Sequence, residues 1–143
     1  MIMMTKKFKI LGKFIKDMSG ETPDIETYIF VKDYISKYQL DIDINSKPLK
    51  DKMVQVNTIL KFEDKEQRKK KSYFEINYVT IIKLDDEIKQ KSELEKIILC
   101  DVQNEIYPEL EKSLLNLLHN SGFPEVKFEK KVNFEDLYNQ RFN

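Results

Sequence analysis

The sequence predicts an α+β fold: a four-stranded antiparallel sheet with a long helix and a short C-terminal helix on one face. Two observations carry this. Between Phe8 and Leu84 the chain is rich in β-branched and aromatic residues, with turn or charged segments dividing it. After Asp85-Asp86-Glu87 the apolar period changes to that of a helix. Strands first and helices after is the pattern of helices gathered on one face of an antiparallel sheet.

Phe8 to Met18 reads as the first strand, aromatic and aliphatic residues interspersed with lysines. Ser19 to Asp24 (SGETPD) is turn chemistry. Tyr28 to Tyr38 has aromatics without a clear period and reads as an ordered crossover. Leu40 to Ile44 alternates strictly, as a half-buried strand does, and Lys47-Pro48 turns it. Met53 to Glu63 is the third strand, with Val54, Val56, Thr58, Leu60 and Phe62 on one face. The charged loop Glu63 to Lys71 joins it to a fourth, Ser72 to Leu84, as a long hairpin.

Ser92 with Glu95 forms a capping box that opens a helix towards Cys100. Pro108 suits only the first turn of a helix, which places the start of the long helix near Asn104 or Glu105. Along it Ile106, Leu110, Leu114, Leu117 and Leu118 fall within roughly 120° of the helical wheel. This stripe exceeds what one small sheet need cover, and it predicts a tetramer with these helices at its centre. Gly122 can take the left-handed conformation that closes a helix, and Phe123-Pro124 forces extended chain. Val126, Phe128 and Val132 continue as an apolar strap to Asn133, an N-cap ahead of Phe134, Leu137 and Tyr138.

At 143 residues the chain reads as one domain, residues 1–143. Its 25 basic and 25 acidic residues cancel, so no global field points to nucleic acid or an anionic membrane. The single cysteine permits no internal disulfide. Met1 to Phe8 carries lysines with no signal-peptide run after it, and no apolar run is long enough to span a membrane. These features predict a soluble cytoplasmic protein without an integral membrane segment.

No catalytic constellation emerges, so no enzyme and no cofactor are expected. His119 reads as a helix-end cap, and Cys100, among Ile97, Ile98 and Leu99, as a buried small hydrophobe. One His and one Cys cannot build a conventional zinc site, and Gly12-Lys13 lacks the rest of a phosphate loop. Asp41 and Asp43 share one strand face, where solvation is the simpler reading than acid/base work. Lys65, Arg68, Lys69, Lys70 and Lys71 form the one basic cluster, beside Tyr73 and Phe74. A solvated hairpin tip is preferred there over an RNA-binding surface. Tyr28, Phe30, Tyr34, Phe123, Phe134 and Tyr138 sit outside the sheet pattern, as core packing or as an apolar groove for an extended peptide.

The segment Gly122 to Tyr138, GFPEVKFEKKVNFEDLY, resembles the C-terminal signature of the SecB family of protein-export chaperones. Three further stretches resemble the same family in the same order. They are Lys16-Asp17-Met18-Ser19 followed by Glu21 and Pro23, the strand Gln39 to Asn45, and Ile106-Tyr107-Pro108 at the long helix. The resemblance runs from Phe8 to about Phe142 and departs at Gly20, Tyr34 and Val79-Thr80. The neutral charge also differs from a family that is usually acidic.

The resemblance implies a SecB-like fold and ATP-independent holding of unfolded precursor proteins, which are delivered to the translocase motor SecA. It implies a homotetramer, a dimer of dimers. The apolar groove read from the aromatic residues, at Tyr28, Phe30, Tyr34, Phe123, Phe134, Leu137 and Tyr138, then becomes the client-binding groove, and the resemblance places SecA contacts at Asp17, Glu21, Tyr73 and Glu75. The helix stripe becomes the oligomer interface. Two alternatives stay open: a SecB-like chaperone for a non-export client such as an antitoxin, without SecA, and an RNA-binding module.

Overall fold

The computed structural model describes residues 7–142. The amino-terminal segment read above as lacking a signal peptide lies outside the described residues for positions 1–6. Four strands, β1 (Phe8–Glu21), β2 (Gln39–Pro48), β3 (Met53–Glu63) and β4 (Tyr73–Leu84), form one antiparallel sheet in the order β1-β4-β3-β2. Consecutive pairing of β2, β3 and β4 through hairpins leaves β1 to close the sheet beside β4, with bulges after Ile10 and after Ile15.

Alternation sets the two faces. Val54, Val56, Thr58, Leu60 and Phe62 of β3 are buried on the helix side, as are Phe74, Ile76, Tyr78, Thr80 and Ile82 of β4. The helices that cover them are one continuous rod: α2 (Lys91–Lys96), a π-helical turn (Ile97–Asp101) and α3 (Val102–Asn120). The π turn displaces the backbone ladder, with the Val102 N–H donating to the Ile97 carbonyl. Buried Gln103 completes the local bonding: its Nε2 donates to the Ile98 carbonyl at 3.2 Å, and its Oε1 accepts from Thr58 Oγ1 at 3.0 Å. The helix is thereby keyed to the sheet by a polar pair in an apolar core.

Several elements differ from the sequence expectation. The crossover contains a helix, α1 (Ile25–Lys32), capped by Asp24, whose Oδ1 accepts from the Thr27 N–H at 2.7 Å, and a 3-10 turn over Ile35–Lys37. Val31 faces the core while Ile25 and Ile29 face solvent, so the apolar residues form no single stripe to recognise. β1 runs on through Ser19-Gly20 because β4 pairs with it as far as Tyr73. A Cβ at Gly20 would stand 3.2 Å from Leu117 and from Phe74, so glycine admits the helix at that point. The β2–β3 turn falls after Pro48, with Asp51 and Lys52 both at positive φ (58° and 62°), the geometry that matches strand twist.

Ser92 does not cap: α2 starts at Lys91 after Gln90, and no side chain caps it. Pro108 lies inside α3 rather than in its first turn. Its ring is exposed, and Ile106 and Leu110 on either side are fully buried, so packing offsets the missing N–H. The leucine stripe is also corrected. Ile106, Leu110, Leu114 and Leu118 are fully buried within the single chain, and only Leu117 keeps some exposure. The sheet is large enough to cover the stripe, so these residues are core and not a free interface.

After α3, Gly122 takes φ +99° and the strap folds back. His119 Nε2–H donates to the Val126 carbonyl at 2.8 Å, tying strap to helix end. Asn133 Oδ1 accepts from the Asp136 N–H at 3.0 Å, the cap expected for α4 (Phe134–Phe142). Cys100 is fully buried, and burial pushes its thiol pKa up, as befits a small core hydrophobe. No helix is long and apolar enough to cross a membrane among the described residues.

Candidate functional site

An open groove of about 1420 Å³ lies at the Gln39–Ile42 end of β2, an edge strand of the sheet. Three segments build it. Leu40 and Ile42 of β2, with Phe62 of β3, give an apolar floor. The crossover supplies one wall through Tyr28, Lys32, Ile35 and Tyr38, and the strap supplies the other through Phe123, Val126, Phe128 and Val132. Tyr107 and Leu137 also line it.

An aromatic cluster fixes the walls. Phe62 meets Tyr38 at 5.6 Å between ring centroids and Phe128 edge-on at 5.6 Å. Phe123 meets Tyr28 at 5.4 Å and Phe74 edge-on at 5.9 Å. Such tilted pairs add roughly 0.5–1.5 kcal/mol each beyond their burial. The Tyr28 hydroxyl donates to the Gly122 carbonyl at 2.8 Å, joining crossover to strap. Tyr38 Oη accepts from the Ser72 N–H at 3.0 Å, joining crossover to hairpin. Burial pushes the Tyr38 and Tyr107 phenols up, so both stay protonated at neutral pH.

Of the seven groove residues expected from sequence, Tyr28, Phe123 and Leu137 line the groove. Phe30 and Tyr34 stack on each other at 4.8 Å and do not line it. Phe134 is buried against Tyr107 at 5.1 Å, and Tyr138 packs on the core. What stands opposite each side chain explains the split: Phe134 and Leu137 lie on the same side of α4, but Phe134 packs on Tyr107 while Leu137, nearly one turn on, borders the groove and stays 42% exposed. Sequence reasoning missed Leu40, Ile42, Ile35 and the strap residues Val126, Phe128 and Val132 as lining. The alternation of β2 marked its apolar face, but only the tertiary fold decides whether that face is covered.

Asp17, Glu21, Tyr73 and Glu75 are brought together. Register pairs Glu21 with Tyr73, Ser19 with Glu75 and Asp17 with Asn77, so all four side chains share the sheet face opposite the helices. Glu75 carries an ion pair with Lys61 at 3.6 Å, which offsets part of the acidic character. On the same face Asp41 pairs with Lys65, while Asp43 is exposed. The basic loop is less solvated than expected: Asp64 is buried and paired with Arg68. Among the described residues no three His, Cys, Asp or Glu side chains gather to hold a metal.

Residues 3–143 match the family model described as Preprotein translocase subunit SecB. The chain belongs to the SecB family. A putative protein-export protein SecB from Pelagibacter ubique is 59% identical over 140 residues, 98% of this chain and 100% of the relative. Protein-export protein SecB from Methylocella silvestris is 23% identical over 131 residues, 92% of this chain and 80% of that one. Among solved structures, a SecB-like chaperone from Mycobacterium tuberculosis, in complex with a ChAD peptide from an antitoxin, shares the fold at a TM-score of 0.60 and 12% identity, over 87% of this chain and 91% of that one. This chain is thus a SecB-family protein-export chaperone with the SecB-like fold.

Proposed function

We propose that this SecB-family protein holds unfolded precursors in the groove between crossover and strap without ATP, and hands them to SecA. The groove carries this reading: it is open, apolar-floored and sits at the Gln39–Ile42 end of the edge strand β2. Each 100 Å² of client apolar surface buried there contributes about 2.5 kcal/mol gross. Association and ordering costs remove much of that, which leaves binding reversible and tolerant of sequence. No step of such holding needs a nucleophile, an acid/base pair or a cofactor, so the protein acts as a non-enzyme, in the cytoplasm, as a single domain.

Assembly as a homotetramer, a dimer of dimers, belongs to the same proposal. The leucine stripe does not support it, since the protomer buries it. Support comes instead from β1, an edge strand with Leu11, Ile15 and Met18 exposed. A long apolar edge is a template for pairing with another copy. The patch Asp17, Glu21, Tyr73 and Glu75, on the opposite sheet face, is the proposed SecA contact.

Light scattering of an aggregating unfolded protein, with and without this chain and free of ATP, tests the holding function. Suppression is expected; undiminished aggregation at molar excess would overturn it. Calorimetry with SecA tests delivery, and absence of binding at low salt would leave a SecA-independent chaperone for another client.

A further inference from the structure

The crossover wall of the groove is held by side chains. Among the described residues, the backbone hydrogen bonds of residues 24–38 run within the crossover itself. What fixes it to the sheet is packing together with a few tethers, and one of these stands behind the wall. Asp64 opens the charged turn that follows the third strand, its side chain 1% exposed; it accepts from the Glu66 N–H at 3.0 Å and from Arg68 Nη1 at 2.8 and 3.1 Å. Those bonds fix the Arg68 guanidinium, whose central carbon lies 4.5 Å from the centroid of the Tyr34 ring. Phe30 stacks on the same ring, and Lys37 Nζ lies 5.9 Å from its centroid.

Tyr34 is the joint between α1 and the 3-10 turn: its N–H donates to the Val31 carbonyl at 2.8 Å and its carbonyl accepts from Lys37 at 2.9 Å. Lys32, Ile35 and Ser36 around it line the groove, whereas neither Tyr34 nor Arg68 does. The same turn ends at Ser72, which binds Tyr38 and Thr22, the residues at either end of the crossover. We infer that the Asp64–Arg68 pair is a positioning clamp that acts through the Tyr34 ring to set where the crossover wall of the groove stands. Its consequence for clients rests on the groove reading above. Arginine suits the role because its planar fork can bind a carboxylate and stack on a ring at once, which lysine cannot.

The test uses the full chain labelled with 3-fluorotyrosine at its seven tyrosines, read by fluorine NMR and assigned with Tyr→Phe variants. Tyr28 is the reporter, since it lines the groove and its ring contacts are with Phe123 and Gly122 rather than with Arg68. In Arg68→Leu the Tyr28 resonance should move. Affinity for reduced, carboxymethylated α-lactalbumin should fall about tenfold as the wall loses preorganisation. Arg68→Lys, which keeps the charge but not the stacking plane, should be intermediate, and Tyr34→Phe, which keeps the ring, should match wild type. If Arg68→Leu leaves Asp64 too poorly compensated to fold, Asp64→Asn/Arg68→Gln keeps a neutral hydrogen-bonded pair and should show the same Tyr28 shift. An unmoved Tyr28 resonance in a folded variant overturns the clamp. Leu137→Ser separates the two readings: unchanged client affinity there would sink the groove, while the Tyr28 resonance would still decide the clamp.

Discussion

The Tyr28 hydroxyl donates to the Gly122 carbonyl at 2.8 Å, and the Tyr28 ring occupies the space a side chain at position 122 would need. A Cβ there would fall 2.5 Å from Tyr28 Cε1, at a backbone φ of +99°. One glycine therefore closes α3, starts the strap and receives the crossover. Gly122→Ala should cost about 2–4 kcal/mol, the left-handed penalty plus the displaced ring. Tyr28→Phe should cost only about 1 kcal/mol, one hydrogen bond. Urea denaturation of the two variants checks the order; equal effects would contradict the steric account.

Leu137 and Phe134 are neighbours on α4 with opposite fates, 42% and 2% exposed. Leu137→Ser should weaken client holding with little change in melting temperature. Phe134→Ser should cost roughly 3 kcal/mol or more by opening a cavity against Tyr107. Melting curves and aggregation assays on both variants separate groove from core.

Glu75→Lys should weaken SecA binding and leave aggregation suppression intact, because the patch and the groove occupy different surfaces. The attraction should also fade with added salt, since exposed charges are screened beyond about 8–10 Å. Titration calorimetry at two ionic strengths measures both effects.

Gln103→Leu removes the bonds that complete the π turn and reach Thr58. Leaving the Ile98 carbonyl and the Thr58 hydroxyl without Gln103 should cost about 1–3 kcal/mol. Adding Thr58→Val should cost less on the Gln103→Leu background than on wild type. A double-mutant cycle in urea shows whether the two residues are coupled.

Acid sensitivity should come in part from Asp64. Burial alone would raise its pKa, but the Glu66 N–H and Arg68, with Lys71 nearby, outweigh it and hold the group below the usual value of 3.8. The native state then binds fewer protons than the unfolded chain, so this stabilisation is complete above the ordinary value and is lost as pH falls through the lowered one. Asp24 acts in the same direction through its cap on Thr27, and Asp101, raised by burial, acts against it. Urea midpoints from pH 6 to pH 3 should fall less steeply in Asp64→Asn than in wild type.

The strands, the order of elements, Gly122 as a helix terminator and Asn133 as a cap were legible in the sequence, because period, turn chemistry and capping are local properties. It also carried the family, through short motifs in a fixed order. The crossover helix escaped notice because its apolar residues face both ways, Val31 inward and Ile25 and Ile29 outward. The unbroken helix through Pro108 depended on burial at Ile106 and Leu110, which a local rule about proline cannot weigh. Tertiary structure alone decided that the leucine stripe is core, that Phe134 is buried while Leu137 lines a groove, and that Arg68 turns back onto Tyr34. In each case the deciding quantity is what stands opposite a side chain, and that is set by residues distant in sequence.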